Sequence, residues 1–187
     1  MNLPNVLTLS RIFFAGLLVL LLERNSLAGY VFAAIVFAVA SLTDLCDGHL
    51  AKSRGLVSDF GKIMDPVADK ILLLSAFGVL AHIGMISGWM FAVIAIREIL
   101  VTFSRLMAMK EGRILAAERT GKIKTAVQIM AVSVILLYLV AQRCEFLGSW
   151  FSNSQGIWLD LNYGLMLAAV ILTVYSGIDY FLNHSSK

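Results

Sequence analysis

The sequence predicts an all-α, polytopic membrane protein with six transmembrane helices and both termini in the cytoplasm. Three observations predict it. The 187 residues are 59% hydrophobic and only 14% charged, with a mean hydropathy of +0.85, whereas soluble domains carry about a quarter charged residues. Six stretches approach the roughly 20 mainly apolar residues that a bilayer-crossing helix needs: 6–22, 27–45, 66–86, 89–107, 125–141 and 162–182. Between them, basic residues are distributed unevenly. With the N-terminus inside, the inner loops and helix ends hold Lys52, Arg54, Lys62, Lys70, Arg105, Lys110, Arg113, Arg119, Lys122, Lys124 and Lys187, and the outer ones only Arg24 and Arg143. That asymmetry orients the chain.

The first span is preceded by Pro4, suited to a helix start, and by Asn5, which shares a helical face with Thr8 three residues on. Asn5 as a simple N-cap fits the same residues. No basic segment precedes this apolar run and no small-residue cleavage site follows it, so it reads as a span rather than a signal peptide. The second span ends at Asp44 and Asp47; Gly48, Gly55 and Gly61 punctuate the loop; Asp65, Pro66 and Asp69 open the third. Proline is tolerated there because first-turn amides lack helical partners. The fourth span contains Arg97 and Glu98, costly inside a bilayer unless paired. A basic loop leads into the fifth. Before the sixth, Trp150, Phe151 and Trp158 read as an interfacial aromatic belt on the outer side. Linkers are otherwise short, and residues 1–187 read as one domain. Cys46 and Cys144 fall on opposite sides of the bilayer and offer neither a disulfide framework nor metal-ligand spacing. A net charge of +3 without basic clusters interleaved with aromatics argues against nucleic acid.

The aspartates carry the chemistry. Asp44, Asp47, Asp65 and Asp69 lie within 26 residues, paired at spacings of three and four, which put each pair on one helical face. Two such pairs facing each other make an all-oxygen pocket for hard divalent cations such as Mg²⁺, with room for two. Four helix-capping aspartates at a membrane surface are the plainer alternative. Gly48, lacking a Cβ, would let a ligand approach the backbone closely, a core-packing glycine being the plainer alternative.

The positions Asp44, Asp47, Gly48, Ala51, Lys52, Gly61, Asp65 and Asp69 match D-x2-D-G-x2-A-R-x8-G-x3-D-x3-D at every fixed site except Lys52. This spacing resembles the signature of the CDP-alcohol phosphotransferase family, integral membrane enzymes that transfer a phosphatidyl or similar group from a CDP-linked donor to an alcohol and release CMP. The resemblance implies Mg²⁺ or Mn²⁺, two ions held by Asp44, Asp47, Asp65 and Asp69, with Asp69 also acting as general base. It implicates Gly48, Lys52 and, more loosely, Ser58 in donor binding. Lysine at 52 keeps the charge but loses the planar fork of arginine. The opening Asn2–Arg11 resembles that of bacterial members, which suggests Asn5 and Thr8 as cytidine contacts. It implies a bacterial inner-membrane protein with the site at the cytoplasmic face, embedded in membrane lipids; members are commonly homodimers.

The acceptor is the harder question. Arg97, Arg105, Arg119, Lys122 and Lys124 could form a basic pocket beside the metals, suited to an acceptor carrying its own phosphate. An Arg97–Glu98 structural pair plus a positive-inside loop accounts for the same residues. The segments 96–105, 121–125 and 175–180 resemble one branch of the family, whose donor is CDP-diacylglycerol and whose acceptor is glycerol 3-phosphate. Inositol phosphate, serine and phosphatidylglycerol are the alternative acceptors, and a cation channel or transporter using the aspartates is the rival of another class. A channel needs a polar path through the bilayer, whereas ionisable residues here gather at one side, Arg97 excepted.

The orientation is testable with the two native thiols. A membrane-impermeant maleimide should label Cys46 only from the cytoplasmic side and Cys144 only from the outside; labelling of both from one face contradicts the six-span arrangement.

Overall fold

The computed structural model describes residues 3–54, 59–110, 119–144 and 154–184, with side chains described except at 3–8, 44–69, 110, 119 and 184. Six helices make up the described residues, with no strand among them: α1 (Leu3–Glu23), α2 (Leu27–Arg54), α3 (Asp59–His82), α4 (Gly88–Lys110), α5 (Arg119–Arg143) and α6 (Gln155–His184). The shortest has 21 residues, so at about 1.5 Å per residue each could cross a hydrocarbon core of roughly 30 Å. Among the described residues, two stretches, Thr120–Arg143 and Gln155–Asn183, are both long and apolar enough to do so by composition.

Each helix buries a stripe at spacings of three and four. Tyr30, Ala33, Phe37 and Ala40 form it on α2, Met90, Ile94, Glu98 and Val101 on α4, and Lys124, Gln128, Ala131, Ile135 and Leu139 on α5. The opposite faces are also apolar: Phe32, Ile35, Val39 and Leu42 on α2, and Ile96, Ile99, Leu100 and Phe103 on α4, are exposed. A water-facing helix would carry polar residues there, and this pattern suits lipid. Phe37, Phe77, Leu18, Leu80, Met90, Ile94, Ile135, Leu136 and Met166 are fully buried in the centre. Helix α1 packs chiefly on α3 and α2, α5 on α6 and α2, and α4 on α6 and α3.

The turns at one end are defined by specific hydrogen bonds. After α1, Asn25 adopts φ 50°, a left-handed conformation that asparagine tolerates. Ser26 then caps α2, its Oγ accepting from the Gly29 amide at 3.1 Å. The Asn25 Oδ1 accepts from the Tyr30 hydroxyl and from Arg143 at the end of α5, both at 2.6 Å, which ties the α1–α2 corner to α5. Helix α3 ends in a Schellman motif: Gly84 has φ +78°, its amide bonds the Ala81 carbonyl, and the Met85 amide bonds the Leu80 carbonyl. The Tyr138 and Trp158 rings stack at 6.3 Å near this same end; Trp150 and Phe151 lie outside the described residues.

At the opposite end the helices run further than the spans expected from sequence. Helix α2 continues through Gly48 to Arg54, and α3 begins at Asp59, so Gly48 and Gly61 are helical and only 55–58 separate the two helices. Pro66 therefore lies about two turns inside α3 rather than in its first turn. A mid-helix glycine costs only about 1 kcal/mol and a proline about 3. The packing of Leu72, Ala76, Phe77 and Leu80 farther along α3 offsets such costs. Helix α5 likewise starts at Arg119, so Lys122 and Lys124 are helical residues rather than loop residues.

The α1–α2 corner gives a stability prediction. A Cβ on Gly29 would stand 2.5 Å from the Leu21 carbonyl oxygen, a backbone atom, whereas one on Gly16 meets nothing within 4 Å. Gly29→Ala should therefore destabilise the protein by about 1–3 kcal/mol. Gly16→Ala should be neutral or stabilising by up to about 1 kcal/mol. Thermal unfolding of both variants in the same detergent checks the contrast.

Candidate functional site

The motif residues are assigned to helices by backbone alone. Asp44, Asp47, Gly48 and Lys52 belong to the last part of α2, and Asp65 and Asp69 to the first half of α3. Both aspartate pairs thus keep the helical spacing that aligns them on a face. The side chains of Asn5, Thr8, Asp44, Cys46, Asp47, Lys52, Asp65, Asp69 and Arg119 lie outside the described residues, as do the surroundings of Gly48 and the whole of Ser58. Among the described residues, no group of three or more His, Cys, Asp or Glu side chains is placed to hold a metal. The four aspartates by themselves are a set of hard oxygen donors, the chemistry Mg²⁺ and Mn²⁺ prefer.

One residue beyond Asp69 the side chains are described, and there a charged cluster begins. Glu98 of α4, 4% exposed, forms ion pairs with three cations on three helices. Its Oε2 lies 2.9 Å from Lys70 Nζ on α3. Its Oε1 contacts Lys124 Nζ on α5 and lies 3.5 Å from Arg97 Nη1 on α4 itself. Lys124 is 1% exposed. A buried ammonium is costly without a counter-ion, and Glu98 supplies one. Among the described residues, three cations gather on this one carboxylate.

Helix α6 forms the wall behind this cluster. Ser176 Oγ accepts from Arg97 Nη2 at 2.8 Å. Gly177 lies directly under the arginine stem: a Cβ there would come within 3.2 Å of Arg97 Cγ. Arg105, two turns beyond Arg97, has its guanidinium 5.5 Å from the centroid of the Tyr180 ring. Its buried Nε has no hydrogen-bond partner among the described residues. Thr120 donates to Asp179 at 3.0 Å, and Gln128 donates to Thr173 at 3.1 Å, closing the α5–α6 seam. Lys122, two residues from Lys124 and so on another face of α5, is exposed.

Of the basic residues selected from the sequence, the fold therefore brings Arg97 and Lys124 together, sets Arg105 on the same α4–α6 seam, and leaves Lys122 on the outside. The Arg97–Glu98 pairing considered as an alternative is present, but as one limb of a larger cluster. Lys70, Ser176, Gly177, Tyr180, Gln128 and Thr173 were not singled out as site residues by sequence. A signal existed. Thr120, Lys124 and Gln128 recur every four residues on α5, and Thr173, Ser176 and Asp179 every three on α6. Polar residues at helical spacing within apolar spans face a protein interior rather than lipid.

An all-helical bundle with this aspartate signature beside a basic cluster defines a class. The CDP-alcohol phosphatidyltransferase family model matches residues 1–175, and the chain belongs to that family. The CDP-diacylglycerol–glycerol-3-phosphate 3-phosphatidyltransferase of Bacillus subtilis is 35% identical over 96% of this chain and 93% of its own length. The protein of that name from Rickettsia typhi is 33% identical over 96% and 95%. A probable phosphatidylglycerophosphate synthase of Mycobacterium tuberculosis is 35% identical over 96% of this chain and 79% of its own.

Proposed function

We propose that the protein transfers the phosphatidyl group of CDP-diacylglycerol to glycerol 3-phosphate, giving phosphatidylglycerophosphate and CMP. The observation that carries the acceptor is the gathering of Lys70, Arg97 and Lys124 around Glu98, one residue past the aspartate motif. Clustered ammonium and guanidinium donors suit a phosphate dianion and offer little to an uncharged hydroxyl. The names and near-complete coverage of the relatives support the same reaction.

In this reading the hydroxyl oxygen of glycerol 3-phosphate attacks the phosphatidyl phosphorus. The bond from that phosphorus to the pyrophosphate bridging oxygen breaks, and CMP leaves. Asp69 takes the hydroxyl proton as general base. Lys70, Arg97 and Lys124, with Arg105 and Arg119, hold the acceptor phosphate and so orient the attacking oxygen. Gly48, Lys52, Ser58, Asn5 and Thr8 bind the CDP portion. Asp44, Asp47, Asp65 and Asp69 would hold two Mg²⁺ or Mn²⁺ ions, which supply charge neutralisation at the pyrophosphate and the departing phosphate. The six helices each cross the bacterial inner membrane as one domain, with both termini and the site on the cytoplasmic side. The apolar lipid-facing flanks and the inner excess of basic residues support that placement.

The acceptor is tested with purified protein, CDP-diacylglycerol and a panel of glycerol 3-phosphate, glycerol, serine, inositol, inositol phosphate and phosphatidylglycerol. CMP release should be fastest with glycerol 3-phosphate; preference for an unphosphorylated acceptor removes the basic-pocket assignment.

The metal and the base are tested together. Chelation should abolish turnover, and Mg²⁺ or Mn²⁺ should restore it. Asp69→Asn should lose at least about a hundredfold in kcat while retaining donor binding, because an amide can ligate weakly but cannot accept the proton. Near-normal turnover by that variant would place the base elsewhere.

A further inference from the structure

We infer that Glu98 is a positioning residue: it presets Lys70, Arg97 and Lys124 as a rigid acceptor-phosphate site and couples that site to the aspartate helix. The inference rests on the proposed acceptor reaction and assigns a role to a residue that itself repels phosphate.

The geometry has three parts. Glu98 lies on the buried stripe of α4 with Met90 and Ile94, so its carboxylate meets the cations from the interior side. Lys124 is closed off at 1% exposure, while Arg97 and Lys70 keep side-chain exposures of 13% and 28%. The carboxylate therefore fixes all three from within and leaves the outer faces of Arg97 and Lys70 accessible. Finally, Lys70 follows Asp69 directly on α3, and its link to Glu98 is 2.9 Å. The same carboxylate thus registers the motif helix against the α4–α5 side. A hydroxyl attack needs the acceptor phosphate and the reacting phosphorus held at one distance, and a misplacement of about 1 Å can cost on the order of a hundredfold.

Neutralising Glu98 would remove the carboxylate that joins the three cations. Their mutual repulsion would separate them, so the preset site disperses even though formal positive charge has been gained. Simple electrostatics predicts the opposite sign, with tighter phosphate binding once a negative group is removed. The two accounts therefore differ in direction.

The test uses wild type, Glu98→Gln and Glu98→Asp, purified in detergent. Each is measured for glycerol 3-phosphate binding without donor, for the KM of both substrates, for kcat and for thermal stability. Glu98→Gln should weaken glycerol 3-phosphate binding and raise its KM about tenfold or more, with the CDP-diacylglycerol KM within about twofold. Glu98→Asp, which keeps the charge one methylene shorter, should recover most of that loss and also keeps the test open if Glu98→Gln does not fold. In that case, an acceptor KM for Glu98→Asp raised selectively above wild type supports the inference. Equal losses for both substrates, unchanged acceptor binding, or tighter acceptor binding in Glu98→Gln overturns it. Failure of the underlying reaction shows instead in the wild type, as CMP release that prefers another acceptor. If that acceptor is phosphorylated, its own KM in the variants judges Glu98; if it is not, the inference falls with the reaction.

Discussion

A carboxylate buried at 4% exposure with three cations around it is the constraint on which the arrangement of the last four helices depends. Apolar contact between helices is non-directional and fixes little about their register. Polar groups are different. Lys124 on α5 and Glu98 on α4 have few acceptable positions other than against each other, since either one alone in an apolar interior would be an uncompensated charge. The consequence is a bundle in which α3, α4 and α5 are set in register at the level of Lys70, Glu98 and Lys124. Helix α6 is then added through the Arg97–Ser176, Thr120–Asp179 and Gln128–Thr173 hydrogen bonds.

That register has a functional meaning because of what lies beside it. The cluster starts one residue after the last aspartate of the signature, on the same helix. The proposed reaction, which moves a phosphatidyl group from a lipid-borne pyrophosphate to a small phosphorylated alcohol, requires two anionic groups to be held close without their repulsion separating them. In that proposal, carboxylates suited to divalent cations on one side and clustered cations on the other would provide for one anion each. The two ends of the bundle are accordingly built from different interactions. The end with the Ser26–Gly29 bond and the Gly84 turn is shaped by local caps and tight turns, with the Asn25–Arg143 bond tying its corner to α5. The interior polar layer is shaped by contacts between residues as far apart as 79 positions in sequence.

Composition and periodicity by themselves determined that the chain is helical, where its six apolar stretches lie, and that four aspartates at spacings of three and four belong to one signature. They did so because helix periodicity, the exclusion of charge from apolar spans and fixed motif intervals are local properties. Local rules also misjudged some boundaries: Gly48, Gly61 and Pro66 read as loop or first-turn residues, yet they are inside helices, since backbone preferences of about 1–3 kcal/mol yield to the packing of a long apolar helix. What the sequence could not rank was its basic residues. Lys122 and Lys124 are two positions apart and chemically identical, yet a rotation of about 200° along an α-helix turns one outward and buries the other against Glu98. Glu98 itself reads from sequence as the partner of its neighbour Arg97, and only the tertiary structure makes it the meeting point of three helices. The reason is physical: an ion pair depends on distance in space, and distances between helices are decided by packing rather than by position along the chain.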